Sequence, residues 1–167
     1  CGQATRPWDQ LRISLSRCGW VSDAVNAVQY NRDVDALRRL AEAAVYEGGC
    51  VDVAEDTVFI GVARHWRAVQ YIGYNPAELC AGYFARKYTR AYVAQLCHYV
   101  RKSGGKYSLS AKTYFQRKRF FGKIERTAES NFIVVEAIMG EGSALRETCC
   151  ALRHAGAIKV NAWAVVS

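Results

Sequence analysis

Apolar and polar positions along this chain alternate between a strand period and a helix period. From residue 132 it reads FIVVEAIMGEGSALRETCCALRHAGAIKVNAWA. That is a short apolar run (Ile133, Val134, Val135), one acid (Glu136), a Gly-rich turn (Gly140, Glu141, Gly142, Ser143) and then apolar residues at helical spacing. A second strand-like run covers residues 160–166, after His154, Ala155, Gly156 and Ala157. The order predicts a strand, a loop, a helix and a returning parallel strand, the unit in which α/β proteins hold nucleotides and sugar phosphates.

Upstream, the pattern predicts a helix over 34–46. Val34, Leu37, Leu40 and Ala41 share one face, Arg38, Arg39 and Glu42 the other, and Gly48 and Gly49 end it. Residues 57–62 read as a short apolar strand, followed by Ala63, Arg64, His65, Trp66 and Arg67. Asn75 as N-cap and Pro76 at the first helical position predict a helix to about residue 88, with Leu79, Tyr83 and Phe84 inward. Periodicity leaves residues 89–100 open between a strand and a continuation of that helix. Residues 1–19 read as an irregular basic lead-in, and 20–30 as mixed and apolar, broken by Asn31, Arg32 and Asp33. The expectation is one α/β domain over 20–167 with a mainly parallel core sheet flanked by helices.

Charge adds a class of partner. The 167 residues carry a formal net charge of +8, which favours phosphates, nucleotides or nucleic acid as ligands or equally serves as a solvated face. Residues 101–126 hold the densest basic cluster, including Lys112, Arg117, Lys118 and Arg119, interleaved with Tyr107, Tyr114, Phe120 and Phe121. That pattern suits a groove for single-stranded nucleic acid or a hood over a nucleotide site. The seven cysteines form no C-x-x-C pair and have no His at ligand spacing, so no zinc site is legible and most are expected to pack as small apolar groups. No apolar run reaches the length of a membrane span, and a soluble, cytoplasmic protein without membrane contact is expected.

Two blocks resemble the ComF family of competence-associated, phosphoribosyltransferase-like proteins. Residues 59–88, FIGVARHWRAVQYIGYNPAELCAGYFARKY, are similar to its strand, V-P-L-H segment, spaced arginines and G-F-N-Q-A-E-x-L-A helix start, through His65, Arg67, Gly73, Tyr74, Asn75, Ala77, Glu78 and Leu79. VEAIMGEGSAL at 135–145 and ALRHAGAIKV at 151–160 resemble the signature V-D-D-x-x-T-T-G-x-T-L and the A-L-x-x-A-G-A-x-x-V that follows it.

The resemblance implies a phosphoribosyltransferase-like fold, with 101–126 as its hood or insertion. It implies a nucleotide or pentose phosphate as ligand, with phosphoribosyl pyrophosphate and Mg2+ as the family's pairing, and a transferase acting in nucleotide or DNA metabolism. By the same resemblance Glu136 is the catalytic, ribose-holding acid, and Gly140, Glu141, Gly142, Ser143 and Ala144 form the 5′-phosphate loop. Arg64, His65 and Arg67 then take the pyrophosphate. The alternative is a degenerate DNA-binding accessory protein in DNA uptake, processing or modification, using Lys112, Arg117, Lys118 and Arg119. Four positions depart from the family pattern: Ala137 replaces the second acid, Gly140 and Glu141 replace the paired threonines, and Ala144 replaces the last one. A carboxylate at Glu141 about 4 Å from a phosphate would cost roughly 1 to 4 kcal/mol unless it points away.

Overall fold

The structure, a computed structural model, describes residues 6–47, 53–92, 94, 97–101, 107–110 and 131–167. Strand β1 (Leu11–Leu15) leads through helices α1 (Gly19–Asn31) and α2 (Val34–Glu47) to β2 (Val58–Gly61). Helices α3 (Trp66–Ile72) and α4 (Pro76–Lys87) connect β2 to the short β3 (Ala91–Tyr92). Strands β4 (His98–Arg101) and β5 (Tyr107–Ser110) pair antiparallel as a separate two-stranded sheet, and β5 runs beside the last helix. The chain then forms β6 (Asn131–Ile138), α5 (Ser143–His154) and β7 (Lys159–Val166).

Five strands make one sheet in the order β1-β7-β6-β2-β3, and every pairing in it is parallel. The protein is therefore an α/β protein with an all-parallel sheet flanked by helices. Strand alternation divides the core. Phe59, Ile133, Val135 and Trp163 pack under α1, α2 and α4, with Phe84 of α4 only 4.4 Å from Trp163 between ring centres. Val58, Ile60, Phe132, Val134 and Val160 pack under Leu145, Cys149 and Leu152 of α5. Both faces of β2 and β6 are thus apolar, as expected of parallel strands covered on both sides.

The strand, loop, helix and parallel strand read from residue 132 onward are present, with β6 and β7 in register from Asn131 opposite Lys159 to Ile138 opposite Val166. Asn75 caps α4 by accepting from the Ala77 N–H at 3.2 Å, and Pro76 opens that helix. Three expectations need correction. Within the supposed irregular lead-in, residues 11–15 form β1, an edge strand paired with β7. Its alternation was hidden because Leu11 and Ile13 remain exposed while Arg12 lies over the Trp163 ring at 5.2 Å.

The inward face of α4 is Ala77, Cys80, Ala81, Phe84 and Ala85, whereas Leu79 is 42% exposed and Tyr83 half-buried. The small residues face the sheet because α4 crosses it at Gly61, where a Cβ would lie 2.5 Å from the Glu78 backbone nitrogen. In α2 the inward face is Ala36, Leu37, Leu40, Ala41 and Ala44, and Val34 at the helix start is exposed. Among the described residues no helix is long and apolar enough to cross a membrane.

Candidate functional site

Connectivity sets where a ligand can enter. After β2 the chain turns to β3 on one side, by way of α4. After β6 it turns to β7 on the other side, by way of α5 on the opposite face. The loops leaving these two adjacent strands therefore diverge at their carboxyl ends, the position where an open parallel sheet usually has its ligand crevice. The two predicted groups, Arg64 after β2 and Glu136 on β6, sit at that position. Gly61 pairs with Val135, and the Val62 N–H donates to the Val135 carbonyl at 2.9 Å, so residues 62–64 run past Glu136.

Glu136 is buried, its side chain only 6% exposed, and its Oε1 lies 3.8 Å from Nη2 of Arg64, which is 30% exposed. Burial pushes the carboxyl up to about 7, and the Arg64 guanidinium opposes that shift. Cys80 of α4, itself buried, is pushed up to about 12 by burial and by the neighbouring Glu136 charge. Thus the acid that the resemblance assigns to ribose and an arginine expected to take pyrophosphate meet at 3.8 Å.

Two further residues hold the crevice walls. Thr148 of α5 is fully buried; its Oγ1 accepts from the Ala63 N–H at 3.3 Å and donates to the Ala144 carbonyl at 2.9 Å. This ties α5 to the residue preceding Arg64. The Asn75 Nδ2 donates to the Val62 carbonyl at 3.0 Å, which ties the start of α4 to the end of β2. Neither had been assigned to the site. Asn75 was visible as a cap, while Thr148 is a polar residue on an otherwise apolar helix stripe, the one signal that could have marked it.

The Gly-rich loop closes the crevice on the β6 side. Met139 still donates from its backbone N–H to the Val166 carbonyl at 2.8 Å, and the chain turns at Gly142, whose φ of 72° is left-handed and suits glycine. Gly142 is the N-cap of α5 and supplies no side-chain cap, so the first-turn N–H groups of Ser143 and Ala144 point out of the helix start beside the crevice. Gly140, Glu141 and Ser143 are exposed and Ala144 is half-buried.

His65 is half-buried and its carbonyl accepts from the Val69 N–H at 3.2 Å, at the start of α3; Arg67 falls in the first turn of that helix. Lys112, Arg117, Lys118 and Arg119, together with most of 101–126, lie outside the described residues.

A protein-held magnesium ion does not fit this crevice. Mg2+ wants several oxygen donors in octahedral array. Here β6 offers a single carboxyl already beside a guanidinium, with Ala137 next to it. Among the described residues no group of three His, Cys, Asp or Glu side chains converges. Any magnesium would have to arrive on the ligand's own phosphates.

The fold is that of a parallel α/β protein with a topological switch point between β2 and β6. Compared with protein-family models and with curated proteins, the chain matches none.

Proposed function

We propose that the crevice binds the phosphate and ribose of a nucleotide or pentose phosphate, and that the protein is a divergent phosphoribosyltransferase-like transferase. The observation that carries this reading is the meeting of Arg64 and Glu136 at the switch point, beside a helix start that no side chain caps. The loop N–H groups and Ser143 take the 5′-phosphate, Arg64 takes a second phosphate group, and Glu136 faces the ribose. As a carboxylate, Glu136 would stabilise positive charge developing at the anomeric carbon; as an acid it would donate to a ribose or leaving-group oxygen. The motif resemblance of 135–145 and 151–160 to the phosphoribosyltransferase signature supports the same assignment.

Calorimetric titration of ribose 5-phosphate, pyrophosphate and phosphoribosyl pyrophosphate, with and without magnesium, tests it. Binding of pyrophosphate and of phosphoribosyl pyrophosphate by the native protein is expected to fall at least tenfold in Arg64→Gln, which corresponds to about 1.4 kcal/mol for one charge-assisted contact. Equal affinity in Arg64→Gln, or no binding of any of the three, would rule the assignment out. The alternative of a single-stranded-DNA accessory protein rests on composition, the +8 charge and the basic-aromatic run of 101–126.

A further inference from the structure

We propose that an anion entering the crevice takes Arg64 away from Glu136 and that a proton from solvent then neutralises the abandoned carboxylate, so that ligand binding is coupled to proton uptake. The inference rests on the reading of the crevice as an anion site, and it assigns that site ligands with fixed negative charge, phosphate or sulfate esters, rather than neutral sugars.

The two members of the pair are unequally exposed. Arg64 is 30% exposed and can be reached from solution, whereas the Glu136 side chain is 6% exposed and cannot follow it outward. At 3.8 Å the pair is at the long end of ion-pair contact, so a phosphate able to make a shorter, charge-assisted bond competes effectively for the guanidinium. Once Arg64 turns to the ligand, Glu136 remains in an apolar setting with a new negative charge nearby. Both effects disfavour the carboxylate and are relieved by protonation. The balance is simple: Arg64 stays a cation, the ligand keeps its charge, and one Glu136 oxygen gains a proton from water or buffer.

The surroundings offer other titratable groups on each element packed against β6. Arg64 and His65 lie on the β2–α3 loop, and Glu78 and Cys80 on α4. Glu147, Cys149 and Cys150 lie on α5, while β7 presents Ala164 opposite Glu136. Cys80 and Cys149 are both buried thiols pushed upward by that burial, which leaves them protonated near neutrality. Glu136 itself, raised to about 7, is poised to change state in the same range.

Sulfate, whose charge is constant near neutrality, is the probe. Titration calorimetry at pH 8 in buffers of different ionisation enthalpy reads the protons exchanged. The native protein is expected to take up about one proton per sulfate and to lose roughly tenfold in affinity per pH unit above neutrality. Glu136→Gln is expected to bind sulfate more tightly at pH 8, with no uptake and a flat pH profile, and Arg64→Gln to lose the binding. Sulfate binding by the native protein without buffer dependence overturns the coupling while leaving the anion site intact, as does equal uptake in Glu136→Gln. If the native protein and Glu136→Gln both ignore sulfate, the anion-site reading falls and the coupling with it.

Discussion

Glu136 shows how much one residue's surroundings decide. An acid inside the apolar run FIVVEAI is legible as unusual, and its place before a Gly-rich turn pointed to a site. Its pairing with Arg64 was not legible, because the two are 72 positions apart and meet only through the β2–β6 register. Burial gives the pair a stability signature with a definite sign. The carboxyl rises from 4.5 to about 7 on folding, so the folded state holds a proton that the unfolded chain has lost between those values. This group therefore favours folding fully below pH 4.5, and that contribution is lost as pH rises through about 7, by on the order of 3 kcal/mol. Glu136→Gln carries no such linkage. The stability of the native protein relative to this variant should therefore fall by that order between pH 4.5 and 7.5 in urea unfolding; a constant difference would mean that Glu136 titrates normally in the folded protein.

At the level of elements, the strong periodicities and the end of α2 were readable, whereas the stretch after α4 was left open between helix and strand. Helix α4 ends without glycine: Thr89 takes a left-handed φ of 53°, its N–H donates to the Arg86 carbonyl at 3.2 Å, and the Arg90 N–H donates to the Ala85 carbonyl at 2.7 Å. This is a Schellman stop built on a β-branched residue, which local sequence rules do not anticipate. It is held from a distance by the Arg90 guanidinium, which donates to the carbonyls of Val53 and Ala54. That is why residues 89–100 could not be divided between helix and strand.

Gly61 is similar in kind. It reads as a weak point in a strand, yet its missing Cβ is what lets α4 lie on the sheet at the crevice. Gly61→Ala would put a methyl 2.5 Å from the Glu78 nitrogen and 2.7 Å from the Ala77 carbonyl carbon, both backbone atoms. The expected cost is about 2 to 3 kcal/mol, typical of overpacking that backbone must absorb. A shift of α4 should also weaken anion binding through the Asn75 to Val62 tether, read as a higher dissociation constant for pyrophosphate in protein that remains folded. Unchanged stability and affinity in Gly61→Ala would show that the helix has room to move.

Across the whole molecule, local, strongly periodic units gave the fold class, and non-local strand order gave the site. The parallel sheet followed from alternating strands and helices, whereas the switch point between β2 and β6 depends on which strand each connection joins. Net charge acts at this same scale, and it separates the two functional readings. A pentose phosphate in the crevice engages one or two phosphate groups, so log affinity should fall with log salt at a slope of about −1 to −2. Single-stranded DNA lying along a surface with net charge +8 would neutralise several phosphates, and at about −0.7 per phosphate six contacts would give a slope near −4. Phosphoribosyl pyrophosphate, which carries the second phosphate group assigned to Arg64, and a short labelled oligonucleotide can each be titrated from 50 to 500 mM NaCl. Transferase-like function requires the shallow slope for the sugar phosphate together with its loss in Arg64→Gln. A steep DNA slope that survives Arg64→Gln and flattens in Lys118→Ala with Arg119→Ala, in a protein indifferent to the sugar phosphate, would assign function to the basic surface and leave the Arg64–Glu136 pair a structural ion pair.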